Sequence, residues 1–521
     1  EIVVNGAEAL LKTLAEAGVD LCFANPGTTE MPLVAALDKP GAMRSVLCLF
    51  EGVASGAADG YARVTGRPAA TLLHLGPGYA NAIANFHNAR RAGSPIVNLI
   101  GDHAVWHRAF DAPLTSDIES LAEPVSVHVV DCIDPARVGL DAREAVEAAM
   151  HGHGGVATMI VPQDTQWADS VHEAGTGTVA RHREEIEDAI VTSAATALEC
   201  GATTTLLLGG GALSEPGLQA AARIAAHTGA KVVHETFPAF MERGAGVPNF
   251  DRLPYFPEQL IETLAGCEQL VCVGARTPVS FFGYQGQPSD LVPDGCSVVV
   301  ATTESEDAIN ALERIADQLG AAPSDVSSAV SLPDFPTDDG PLDIDGLGRI
   351  VAALQPENAL VVDESATSGI FWFPYSMTAR RHSWMGLTGG AIGIGLPLAV
   401  GAALGAPDRK VLALQADGSG LYTLQALWTM ARENLDVTVV VCANQAYRIL
   451  EFELMRAGVT EPGPVARSLT SLQGPALDWT CLSVGMGVPA ERAETPGQLV
   501  AALERALAIK GPRLIEAVLA G

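Results

Sequence analysis

The chain has 521 residues, 48% of them apolar and 18% charged, enough for about three domains with cores of their own and too apolar for a disordered chain. Asp and Glu number 61 against 31 Lys and Arg, and the net charge of −30 excludes a general nucleic-acid binder or a protein that docks on anionic lipid. It leaves room for a small anionic ligand held in a locally positive pocket.

In chain order, residues 1–18 read as a polar-flanked helix without the basic start or apolar core of a signal peptide. Short β-branched runs then alternate with longer Ala- and Leu-rich helical patterns, as parallel sheets covered by helices require. The first third predicts strands at 21–23, 44–48, 69–73, 96–100 and 156–160, with helices over 52–65 and 81–91. A Ser-, Gly- and Thr-containing stretch at 169–183 reads as a linker. A second series follows, with strands at 203–208, 231–234, 270–273 and 298–301, and a Gly209-Gly210-Gly211 turn before a helix starting near Ser214. The segment 326–346, rich in Ser, Pro and Asp, reads as a second linker, and the last third predicts strands at 359–362, 411–414, 437–441 and 514–518. The fold class is α/β: three domains over 1–170, 185–325 and 345–521, each a mostly parallel sheet flanked by helices. No apolar run has the ~20-residue length of a membrane helix. The nine scattered cysteines predict reduced, mostly buried thiols in a cytoplasmic protein.

The strongest local signal is Asp417-Gly418-Ser419, directly after the apolar run 411–414 and ahead of a helical pattern over 423–432. Asn444 ends the next apolar run, 27 residues after Asp417, so one strand–helix–strand unit separates two oxygen ligands. Neighbouring strand ends of an open α/β sheet are its usual ligand crevice. A hard cation such as Mg²⁺ takes few carboxylates there and shares itself with a phosphate, toward which a following helix turns its positive end. An Asp-Gly-Ser turn is also an ordinary helix cap.

This stretch resembles the metal motif of the thiamine-diphosphate superfamily that includes pyruvate oxidase, acetolactate synthase and benzoylformate decarboxylase. Three other segments resemble it independently: Asn-Pro-Gly-Thr-Thr-Glu at 25–30; Phe-Glu-Gly at 50–52 with Ala-Ala-Asp-Gly-Tyr-Ala-Arg at 57–63; and Gly-Leu-Thr-Gly-Gly-Ala-Ile-Gly at 386–393. The resemblance implies that Asp417, Asn444 and the carbonyl of Ala446 hold Mg²⁺. It implies that Ser365, Ala366, Thr367, Gly418, Ser419 and Tyr447 border the diphosphate. Gly390 would offer its carbonyl to the amino group of the cofactor, and Ile392 would wedge the cofactor into a bent shape. Glu51 would be the catalytic glutamate that hydrogen-bonds the pyrimidine nitrogen, a role that favours a buried carboxyl of raised pKa. Read alone, Glu51 is equally a helix N-terminal residue and Ile392 a core side chain.

His74 lies 23 residues after Glu51 at a strand end. A histidine there resembles the proton relay of benzoylformate decarboxylase, a role for a side chain that changes charge between about pH 5 and 8. Thr28 stands where that enzyme has a carboxylate-binding serine. The reading is a thiamine-diphosphate- and Mg²⁺-dependent, non-oxidative 2-oxo acid decarboxylase, benzoylformate-like, with carboligation as a further activity. The alternatives are an acetolactate-synthase-like carboligase and a cofactor-binding homologue that has lost turnover. In this family the site lies between subunits, which implies a homodimer or homotetramer. Partners are a small 2-oxo acid and further copies of the chain, with neither nucleic acid nor membrane.

Three departures stand out. Ala416 and Ala443 replace a glycine and an asparagine beside the metal motif, and Val247 falls where the local alignment expects a second active-site histidine. Arg448 and Glu453 put charge at the pocket entrance. Gly209-Gly210-Gly211 lacks the dinucleotide fingerprint and a well-placed downstream acid, so no FAD is expected.

Overall fold

The computed structural model describes residues 2–172, 177–323 and 329–520. Parts of both expected linkers, 173–176 and 326–328, lie outside the described residues. Three large sheets carry the fold, as the run of alternating strands and helices predicts. The first has six parallel strands in the spatial order Arg44–Leu47, Leu21–Asn25, Ala69–His74, Ile96–Asp102, Val156–Pro162 and Ser126–Asp131. Its central strands are buried on both faces, which is why they read as unbroken apolar runs. The edge strand Ser126–Asp131 interrupts its valines with Ser, His and Asp and is mostly half-exposed, so no apolar run marked it.

The middle sheet has five parallel strands, ordered Asp251–Arg252, Lys231–His234, Thr204–Leu208, Gln269–Val273 and Ser297–Thr302. In the last sheet, Ala359–Glu364, Val411–Ala416, Val437–Ala443 and Arg513–Val518 lie side by side, with His382–Gly386 and Ala490–Ala493 outside them. Met241–Arg243, from the middle third, adds an antiparallel strand to that sheet beside His382–Gly386. Two further expectations are corrected. Ile2–Asn5 is a strand ahead of the first helix, Gly6–Glu16, and it pairs antiparallel with Asp169–His172, so part of the expected linker is sheet.

Two features position the site. Chain order reverses between Leu21–Asn25 and Ala69–His74 in the first sheet, and between Ala359–Glu364 and Val411–Ala416 in the last. Such switch points open a crevice at the carboxyl ends of the strands. The helices Glu51–Thr65 and Gly395–Gly405 pack backbone to backbone: a Cβ on Gly60 would stand 2.2 Å from the Leu398 carbonyl oxygen, and one on Gly401 1.9 Å from that of Ala57. Only hydrogen fits at either place, so the glycines join the first and last sheets into one core.

Among the described residues no helix is long and apolar enough to cross a membrane. All nine cysteines are free, and seven of them are buried or half-buried.

Candidate active site

The ends of Val411–Ala416 and Val437–Ala443 bring Asp417 and Asn444 together. Asp417 is 2% exposed; its Oδ1 accepts from the Gly418 amide at 2.9 Å and its Oδ2 from the Gln445 amide at 2.7 Å. Gln445 takes the left-handed conformation, φ 56°, to deliver that amide. Asn444 Oδ1 accepts from the Ala446 amide at 3.0 Å, which turns the chain so that Ala446 and Tyr447 border the same space. A Cβ on Gly418 would lie 2.5 Å from the Tyr447 ring. Burial pushes the Asp417 carboxyl up to about 6. Ala416 has φ −70°, so the alanine that replaces a glycine there is unstrained.

Two expectations change. The helix expected over 423–432 runs over Ala426–Arg432, and only one helical turn, Asp417–Gly420, follows the strand. An anion would therefore meet a single helical turn rather than the end of a long helix. The Ser365 hydroxyl donates to Asp363 Oδ1 at 2.5 Å and that of Ser419 to the Ala416 carbonyl at 3.3 Å. Among the described residues the Thr367 hydroxyl has no partner, which leaves it the readiest donor of the 365–367 turn.

Ser365, Ala366, Thr367, Gly390, Ile392, Asp417, Gly418, Ser419, Asn444, Ala446 and Tyr447 all line one cavity of about 950 Å³ between the middle and last sheets. Its loop 386–393 is held from the first unit: Asn88 Oδ1 accepts from the Gly389 and Ala391 amides, and Asn88 Nδ2 donates to the Ala391 carbonyl. Glu364, fully buried, anchors the other side by accepting from the amides of Gly393 and Gly395. Neither residue stands in a sequence motif, and no periodic pattern marks a contact made across 300 residues. Among the described residues no three His, Cys, Asp or Glu side chains form a metal site. One carboxylate, one amide oxygen and one carbonyl fit Mg²⁺ that completes its octahedron with phosphate oxygens and water.

Glu51, His74 and Thr28 do not line that cavity. Glu51 opens the helix Glu51–Thr65, half-buried, and its Oε2 accepts from Asn81 Nδ2 at 3.0 Å. His74 precedes the helix Leu75–Ala92, which begins six residues earlier than the pattern at 81–91 suggests. Pro77 is tolerated in its first turn, and a Cβ on Gly76 would stand 2.3 Å from Ser116. His74 Nδ1 donates to Glu30 Oε2 at 2.8 Å, and Glu30 also accepts from the Gly27 amide and the Thr29 hydroxyl. Because a carboxylate only accepts, Nδ1 carries the proton and Nε2 is the free basic nitrogen. Glu30, fully buried, is the residue that sequence reasoning passed over inside its own motif. Thr28 is exposed at the start of that turn, and the hydroxyl that meets His74 is that of Thr29, at 3.1 Å.

The family model described as the thiamine pyrophosphate enzyme N-terminal domain matches residues 4–121, and that of the C-terminal domain matches 367–517. A Mycobacterium tuberculosis protein named "Putative acetolactate synthase large subunit IlvX" is 50% identical over 516 residues, 99% of each chain. The chain belongs to the thiamine pyrophosphate enzyme family. Within this family, a benzoylformate decarboxylase of Pseudomonas aeruginosa is 28% identical over 98% of this chain and 97% of its own. The structure of a thiamine-diphosphate-dependent 4-hydroxybenzoylformate decarboxylase of Rhodococcus jostii superposes with a TM-score of 0.84 at 26% identity over 99% of both chains.

Val247 is 1% exposed and outside the cavity, whose middle-unit wall includes Phe281 and Phe282. The triple-glycine turn does have an acid: Glu235, 25 residues downstream, accepts from the Gly210 amide at 2.9 Å. The charges at the entrance are paired off, Arg448 with Glu451 at 2.9 Å and Glu453 with the Tyr284 hydroxyl at 2.9 Å.

Proposed function

We propose that this chain is a thiamine-diphosphate- and Mg²⁺-dependent, non-oxidative decarboxylase of 2-oxo acids. The observation that carries this reading is the Glu30–His74 pair, which fixes a basic imidazole nitrogen at the first sheet's switch point. When bound, thiamine diphosphate supplies the nucleophilic carbon and the electron sink that loss of CO₂ requires. The chain's residues then bind, orient and move protons. Asp417, Asn444 and the Ala446 carbonyl would hold Mg²⁺, which would neutralise the charge of the diphosphate. Glu51 holds a proton at its carboxyl for the pyrimidine nitrogen. His74 Nε2 carries a proton to and from the reacting substrate, and the Thr28 hydroxyl receives the substrate carboxylate. Phe281 and Phe282 help to exclude water from the cavity.

Glu51 and His74 lie on the first unit, outside the cavity that holds the cofactor cradle. That separation supports a site completed by a second copy of the chain, in a homodimer or a homotetramer. Near the same end of the molecule, Leu49 is 44% and Tyr422 53% exposed, apolar surface that such an assembly would cover. We also read the enzyme as flavin-free, since the Glu235 carboxyl group already takes the amide at the glycine turn.

The second reading is an acetolactate-synthase-like carboligase. It is favoured by the name of the 50% identical relative and by the absence of a histidine among the residues lining the cavity. Product analysis on aryl and aliphatic 2-oxo acids separates the two. The decarboxylase yields free aldehyde and CO₂ in equal amounts. A predominance of acyloin selects the carboligase, and release of neither refutes both.

A further inference from the structure

The wall that the middle unit gives the cavity carries three cations, Lys231, Arg243 and Arg252. Arg243 is 1% exposed; its Nε donates to Ser376 Oγ at 2.7 Å and its Nη2 to the Phe373 carbonyl at 2.7 Å. Its Nη1 is buried with no partner. Arg252 lies close by: the two guanidinium carbons stand 3.9 and 4.0 Å from the centroid of the same Phe373 ring. Among the described residues the Arg252 side chain makes neither a hydrogen bond nor an ion pair. Both arginines line the cavity.

The acids there answer them only in part: Asp251, exposed, acts on Arg243. Asp363, the acid that acts on Arg252, spends its oxygens on the amide and hydroxyl of Ser365 and on Trp384 Nε1. Lys231 adds positive charge at the rim, donating to the Thr263 carbonyl. His234, next to Phe373, is held neutral, since burial and the two arginines push it down to about 3. Burial also lowers both guanidinium groups from their ordinary value. Arg243 is buried and Arg252 half-buried, and an anion reaching both would relieve the desolvation and mutual repulsion that Asp251 and Asp363 offset only in part. Planar guanidinium groups stacked on an aromatic ring present their edges to a carboxylate or phosphate.

We propose that the acid turned over by this enzyme carries a second anionic group, a carboxylate or a phosphate remote from the reacting carbonyl, and that Arg252 and Nη1 of Arg243 bind it. This inference rests on the 2-oxo acid reading for its substrate class, while the anion subsite itself rests on geometry alone. Arg252 and Arg243 therefore set specificity and take no part in the chemical step.

The test uses the full chain loaded with thiamine diphosphate and Mg²⁺, carrying Glu51→Gln so that calorimetric heats report binding without turnover. Two ligands of equal length are compared, 2-oxohexanoate and 2-oxoadipate, which differ by a terminal carboxylate. The expected result is about tenfold tighter binding of 2-oxoadipate, or more. Adding Arg252→Gln removes the difference, while Arg252→Lys keeps part of it and leaves cofactor affinity unchanged. A phosphonate-ended 2-oxo acid of the same length identifies the preferred anion by binding tighter or weaker than 2-oxoadipate. Equal binding of the two parent ligands overturns the proposal. So does an Arg252→Gln loss that falls equally on the cofactor, because the arginine would then serve the diphosphate. If the wild type releases no CO₂ yet the dianion preference stands, the decarboxylase reading fails and the anion site survives.

Discussion

At the scale of single residues, the site depends on side chains that hold other side chains. Glu30 fixes the tautomer of His74 through one hydrogen bond of 2.8 Å. Glu30→Gln keeps the size but offers an amide that can turn its donor face to the ring. Turnover should fall by about 10²-fold or more, with cofactor affinity unchanged and the pH profile of kcat displaced. An unchanged pH profile would make Glu30 a packing residue only. Gly418 illustrates a steric constraint. A methyl group there would lie 2.5 Å from the Tyr447 ring, and Gly418→Ala should cost about 1–3 kcal/mol and weaken cofactor binding. Calorimetric titration with thiamine diphosphate and Mg²⁺ checks this, and wild-type affinity would refute it.

At the scale of elements, the buried strands were legible because parallel sheets demand apolar runs, and those around Val411–Ala416 and Val437–Ala443 lie where the runs predict. The exposed edge Ser126–Asp131 and the three-residue strand Met241–Arg243, which leaves its own third to join the last sheet, carry no such signal. The metal cradle was legible as a motif. Asn88, Glu364 and the Arg243–Arg252 pair were not, since their roles come from partners far away in sequence. The glycine turn after Thr204–Leu208 allows a pH test. Burial pushes Glu235 from 4.5 up to about 8, with Glu304 raising it further and Arg276 opposing. Between those values the folded chain holds a proton that the unfolded chain has lost. Stability therefore falls as pH rises through that window and levels off above it. Glu235→Gln removes this dependence, so the variant should melt increasingly above the wild type from pH 5 to 8 and converge with it near pH 4.5. Parallel melting curves across that range would contradict the buried carboxyl.

At the scale of the whole molecule, the net charge of −30 and an anionic cofactor are compatible, because the cradle offers one buried carboxylate for Mg²⁺, neutral hydroxyls and turn amides. The same separation places Glu51 and His74 on one unit and Asp417 and Asn444 on another. CO₂ release from a 2-oxo acid by mixed inactive variants addresses the function and the shared site together. Glu51→Gln and Asp417→Asn should each be silent alone. After subunit exchange, random dimers should recover about a quarter of wild-type CO₂ release, since one of the two sites in each hybrid is intact. A mixture that stays silent beside an active wild type would contradict a site shared between subunits, and a wild type that releases no CO₂ would contradict the decarboxylase itself.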